Sequence, residues 1–100
     1  MADRIKLSVV TAQGDSHEKM VSYVSIPTEF GSVGVLSGHA PMLCAVKSGV
    51  LKYRVGENSV FRLSVSDGIA NVADNEVTVL VSYMNMEYKV QAENRLCFLI

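Results

Sequence analysis

The stretch Leu51-Lys52-Tyr53-Arg54-Val55, then Gly56-Glu57-Asn58-Ser59, then Phe61-Arg62-Leu63-Ser64-Val65 decides the fold. Apolar residues stand at every second position on both sides of a glycine-containing turn. That period places one set of side chains on each face of an extended chain, so the segment reads as a β-hairpin. The same grammar extends outward. Ile5, Leu7 and Val9 alternate with Lys6 and Ser8, and Ile69-Ala70-Asn71-Val72 and Val77-Thr78-Val79-Leu80-Val81 flank Ala73-Asp74-Asn75-Glu76. Asp and Asn tolerate the backbone that a tight turn demands, which makes this a second hairpin. Strands recur about every ten residues with no helical stretch between them, so antiparallel sheets closed into a sandwich or flattened barrel of about 8 to 10 short strands are expected, not βαβ units.

The middle of the chain is less regular. Gly31, Gly34, Gly38 and Gly49 punctuate it, and Pro27 and Pro41 set off short pieces that fit loops and edge strands. Beyond Tyr83 the alternation fades. Residues 1–83 are read as the β domain and 84–100 as a short tail, in which Glu87 to Arg95 could form one helix of about two turns or stay unstructured.

Composition narrows the function. One hundred residues make room for one domain, and 49% hydrophobic with 19% charged residues supports a packed core. Nine Lys and Arg against ten Asp and Glu remove the basic field that nucleic-acid partners require. No apolar run approaches the ~20 residues of a membrane span. The start, Met1-Ala2-Asp3-Arg4-Ile5-Lys6, lacks the pattern of a secretory signal, so an intracellular location is expected. Cys44 and Cys97 are most simply free thiols there, with pairing between them also open.

Chemistry-bearing residues are sparse. His39, Ser66 and Asp67 are the residue types of a nucleophilic triad, but nothing in their spacing sets a hydroxyl against an imidazole. Cys44 lies at an odd offset from His39, which on an unbroken strand points the two to opposite faces and makes Cys44 a small core or interface filler. His17, His39, Cys44 and Cys97 share no metal-ligand spacing. The glycines at 31 and 34 and the Ser37-Gly38-His39 segment lack the Gly-Lys-Ser/Thr of a phosphate loop. No catalytic residue, cofactor or metal is expected. What stands out is Phe30 to Val46, seventeen positions without a formal charge. Such a loop is either tucked over the core or covered by another chain. Leu96 to Ile100, five consecutive apolar residues, poses the same question.

Gly34-Val35-Leu36-Ser37-Gly38-His39-Ala40-Pro41-Met42-Leu43, followed by Val46-Lys47-Ser48-Gly49-Val50-Leu51, resembles the epsilon subunit family of F-type ATP synthases. That family carries Gly-Ile/Val-Leu-Pro-Gly-His-Ala-Pro-Leu-Leu and then Leu/Ile-Lys-Pro-Gly. Its later strand pair is similar to Gly68 through Leu80, and its first strand to Leu7-Ser8-Val9-Val10-Thr11. The likeness covers about Ile5 to Val81. Ser37 and Ser48 replace common prolines, and Asp67-Gly68 stands where Gly-Gly is frequent. The motif residues are Gly34, Gly38, His39, Ala40 and Pro41.

The resemblance implies a non-catalytic rotor subunit that joins the gamma subunit to the c-ring and couples ion-driven rotation to ATP synthesis. By position, Thr11, His39 and Cys44 correspond to the gamma-facing side, and Phe30, Gly31 and Ser32 to the loop that touches the ring. It implies a peripheral location on the cytoplasmic face of a bacterial membrane or the equivalent organelle side, with no bound cofactor and membrane contact only through the ring. The family usually continues into a two-helix hairpin, which Ser82 to Ile100 does not supply, so little self-inhibition is expected. A small enzyme using His39 with Cys44 or Ser66, or a free-standing interaction module on the same scaffold, are the competing readings.

Overall fold

The structure, a computed structural model, describes residues 3–56 and 59–85 and the backbone of Tyr88–Val90. Among these residues ten strands form: β1 (Ile5–Thr11), β2 (Ser16–Val21), β3 (Tyr23–Thr28), β4 (Gly31–Val35), β5 (Met42–Val46), β6 (Gly49–Val55), β7 (Ser59–Val65), β8 (Gly68–Ala73), β9 (Glu76–Val81) and β10 (Tyr88–Val90). They make two five-stranded sheets, ordered β2-β1-β9-β8-β5 (sheet A) and β10-β7-β6-β3-β4 (sheet B). The all-β sandwich read from the alternation is therefore what forms, and no helix occurs among the described residues. Of the segment 87–95, read as one short helix or an unstructured tail, residues 88–90 pair antiparallel with β7 and the rest lies outside the described residues. Residues 91–100, and with them Cys97 and the apolar terminus, lie outside the described residues.

Alternation dictates the packing. In β1 the burial follows the sequence residue by residue, with Ile5, Leu7 and Val9 fully buried and Lys6, Ser8 and Val10 facing outward. Val24 and Ile26 of β3, Val35 of β4, Leu51 and Tyr53 of β6, and Leu63 and Val65 of β7 supply sheet B's share of the core. Tyr53 stacks on Phe61 at 5.3 Å between ring centroids, and its hydroxyl lies 3.0 Å from His17 Nε2. This contact ties the β2 edge of sheet A to the centre of sheet B. A buried phenol needs such a partner, because an orphaned hydroxyl costs about 1–3 kcal/mol.

The two hairpins fall where they were read, over β6–β7 and β8–β9. The 73–76 turn places Asp74 at φ 50° and Asn75 at φ 61°, the left-handed conformation that these two residues accept at low cost. Glu57 and Asn58, in the other turn, lie outside the described residues. One pairing has the opposite sense to the expected antiparallel pattern, for β1 runs parallel to β9. Side-chain alternation is identical in both senses, and the long excursion through β2–β8 gives the chain ample length for the crossover.

Topology sorts the connections. Turns following odd-numbered strands (12–15, 29–30, 47–48, 66–67 and 82–85) gather at one end of the sandwich. Those following even-numbered strands, including the 36–41 segment, gather at the other.

Candidate interface on sheet A and the adjoining hairpin tip

The cross-strand registers of sheet A place its outward side chains in rows. Nearest the odd-turn end runs Val10, Leu80, Ile69 and Ala45, one residue from each of four neighbouring strands. The next row is Ser8, Thr78, Asn71 and Leu43, and the third is Lys6, Glu76 and Ala73. Across β1, β9, β8 and β5 the outer face thus grades from apolar to charged within three rows, while β2 adds Ser16, Glu18 and Met20, one to each row in that order. Leu80 and Ile69 are about half exposed, and Leu43 is 70% exposed. At the apolar end lies an open depression of about 380 Å³ lined by Val10, Thr11, Ala12, Ile69 and Leu80 among others.

Gly68 allows this groove to exist. A Cβ there would lie 1.9 Å from the Leu80 carbonyl oxygen, so only glycine lets the backbones of β8 and β9 approach so closely. At the charged end, the Lys6 ammonium lies 3.1 Å from Glu18 and 3.8 Å from Glu76. Its hydrogen bond to Glu18 and the two negative charges raise its pKa above the ordinary value. These groups are exposed, so the pairs add little to stability.

A second exposed feature projects from the odd-turn end, the end of the apolar row. The β3–β4 hairpin presents Phe30 at 93% exposure. Thr28 holds this tip, its hydroxyl accepting the Phe30 N–H at 3.1 Å and donating to the Gly31 carbonyl at 2.6 Å. Gly31 sits at φ 111°, a conformation that glycine accepts freely. The uncharged stretch from Phe30 to Val46 is consequently not sealed inside. Val35 and Val46 are buried, and most of the rest faces solvent.

The six partner-facing positions expected from the sequence are not gathered at one point. Phe30, Gly31 and Ser32 share the hairpin tip. Thr11 is buried and lines the groove wall, its hydroxyl accepting the Asp15 N–H at 3.1 Å. Cys44 points inward with Met42 and Val46 and packs against the core from the edge strand. It carries a free thiol whose pKa is pushed up by burial, which makes it a poor nucleophile at neutral pH. His39 lies at the opposite end, in the segment anchored by the Gly38 N–H donating to Asn75 Oδ1 at 2.8 Å. Because β5 begins at Met42, the strand that would have fixed the His39–Cys44 offset is broken.

The same separation dismantles the triad. Ser66 sits at the odd-turn end, about 15 Å from His39 by the rise of a five-residue strand. Its hydroxyl accepts the Ser82 and Tyr83 N–H groups at 2.9 and 3.1 Å. Among the described residues no group of three or more His, Cys, Asp or Glu could hold a metal ion.

Sequence reasoning passed over Ile69 and Leu80, and took in Leu43 only as part of the uncharged Phe30–Val46 stretch. Their signal was present in Leu43-Cys44-Ala45-Val46, Ile69-Ala70 and Val79-Leu80-Val81. Consecutive apolar residues in a strand make both of its faces apolar, and only one face can line the core.

The sequence matches the family described as "ATP synthase, Delta/Epsilon chain, beta-sandwich domain" over residues 4–86. The ATP synthase epsilon chain of Desulfitobacterium hafniense (strain Y51) is 31% identical over 96% of this chain and 72% of that protein. The ATP synthase epsilon chain of Magnetococcus marinus is 38% identical over 92% of this chain and 66% of that protein. The chain thus spans roughly two thirds of the length of these relatives. A chain of the Euglena gracilis mitochondrial ATP synthase structure (OSCP/F1/c-ring) superposes with a TM-score of 0.73 at 23% identity, covering 85% of this chain and 54% of that one. One from the Tetrahymena thermophila mitochondrial central stalk and c-ring gives 0.65 at 16% identity, covering 84% and 67%.

Proposed function

The chain belongs to the ATP synthase delta/epsilon β-sandwich family, and from that premise we propose that it is a non-catalytic rotor piece joining the gamma subunit to the c-ring. The outer face of sheet A docks on gamma, and the hairpin tip of Phe30, Gly31 and Ser32 meets the polar loops of the ring. Within the gamma contact, Thr11 forms the groove wall, Cys44 backs the edge strand from inside, and His39 marks the far end. The body then transmits ion-driven rotation to the shaft and takes no part in bond making. The protein is peripheral on the cytoplasmic face of a bacterial membrane or the equivalent organelle side, held there through the ring.

The apolar row of Val10, Leu80, Ile69 and Ala45 carries this reading. Exposed contiguous apolar surface is costly on a free monomer and marks a contact site. A joint under torque is better served by packed apolar area than by screened charges, and the charged row lies at the far end of the face. The test is co-expression with the gamma subunit of the same synthase. Co-purification as a stoichiometric complex is expected, and a folded, monodisperse chain without gamma affinity would refute the reading.

A further inference from the structure

Among the described residues the sandwich has four sheet edges, β2 and β5 in sheet A and β10 and β4 in sheet B. Unpaired edges invite the addition of another strand, and proteins blunt them with charges, prolines, brevity or kinks. Three of the four carry such a device. β2 contains Glu18 and Lys19, β10 contains Lys89, and β4 has two glycines in five residues, starts at φ 111° and has the Tyr23 ring lying over Gly34. β5, Met42-Leu43-Cys44-Ala45-Val46, has no charge, proline or glycine. Its one ladder is with β8, and no other hydrogen bond reaches the backbone of 42–46 among the described residues.

This bare edge is continuous with the apolar face, since Ala45 ends the apolar row and Leu43 the next. At the opposite side of the face β2 presents Ser16, Glu18 and Met20 outward, whereas β5 presents Leu43 and Ala45, so the apolar surface runs off the face without a charge only over β5.

We infer that β5 is an acceptor edge, to which the gamma subunit adds an extended segment of its own as a sixth strand of sheet A. The contact then combines main-chain hydrogen bonds along 42–46 with side-chain packing on Leu43, Ala45, Ile69 and Leu80, the mode of strand addition. The inference rests on the gamma reading above and specifies how that contact is made.

Amide hydrogen exchange of the full chain, alone and bound to gamma, tests it. In a strand only alternate amides point to the open edge, so every second amide of 42–46 is expected to slow on the order of tenfold or more in the complex, with β4 unchanged. A bound gamma that leaves exchange at 42–46 unaltered overturns the strand addition while the docking reading stands. Free chain that dimerises and shows the same protection without gamma also overturns it, assigning the edge to a second copy. Capture is scored separately by co-purification, and its failure removes both readings.

Discussion

Gly68 and Gly38 show how two glycines in one sheet protein answer to different constraints. Gly38 is at φ 84° with open space where a Cβ would be, so Gly38→Ala carries only the backbone cost of the left-handed region, about 1–2 kcal/mol. At Gly68 a Cβ collides with the Leu80 backbone, which cannot swing aside as a side chain could. Gly68→Ala is expected to cost about 3 kcal/mol or more and to reshape the groove. Urea unfolding of the two variants checks the order, and a smaller loss at 68 than at 38 would contradict it. A neighbouring pair explains two departures from the family pattern together. Ser48, standing where proline is common, donates its N–H to Asp67 Oδ1 at 2.6 Å, and Asp67 stands where glycine is common. Proline has no N–H to give, so each departure makes sense in the presence of the other. A double-mutant cycle with Ser48→Pro and Asp67→Gly should show a coupling of about 0.5–1 kcal/mol, and additive losses would break the link.

At the scale of the element, the tip of the β3–β4 hairpin is held by one hydroxyl, while the strands below it are held by their own ladder. Thr28→Val keeps the β-branched shape but removes both hydrogen bonds that hold Phe30 and Gly31. Because the tip is exposed, the expected loss is small, about 1 kcal/mol in thermal or urea unfolding, with faster exchange of the Phe30 amide as the specific sign. Unchanged exchange there would show that the strands, not Thr28, set the tip. Strands such as β1, β6 and β9 were legible because period two survives wherever one face is buried and the other wet. The β1–β9 parallel pairing was not, since it joins segments far apart in sequence and leaves the alternation untouched. The pairing of Tyr88–Val90 with β7 was not legible, because the alternation fades past Tyr83 and nothing in Tyr88-Lys89-Val90 names its partner strand. The candidate interface was half legible. Uncharged loops pointed to the Phe30 tip, whereas Ile69 and Leu80 merge with core neighbours in sequence and become visible only once register assigns them to the outer face.

On the scale of the whole molecule, the sandwich offers two separate exposed features at one end, the apolar row of sheet A and the Phe30 tip, carried by different sheets. If they serve different partners, damage to one should spare the other. Ile69→Lys combined with Leu80→Lys places charge on half-exposed positions, so the fold should hold to within about 1 kcal/mol. Gamma binding should fall about 100-fold, corresponding to about 2.7 kcal/mol, because a buried unpaired charge is among the most costly changes an interface can suffer. Phe30→Ser, at an almost fully exposed site, should leave stability and gamma affinity within about twofold of the parent while weakening attachment of the gamma complex to c-ring preparations. Titrations with purified gamma and with detergent-solubilised ring read the two effects independently. A body that transmits torque between two partners needs contacts that do not compete for the same residues, and the placement of these features on different sheets satisfies that requirement. Loss of gamma binding in the Phe30 variant, or of ring attachment alone in the sheet A variant, would show that the two ends of the joint have been assigned the wrong way round.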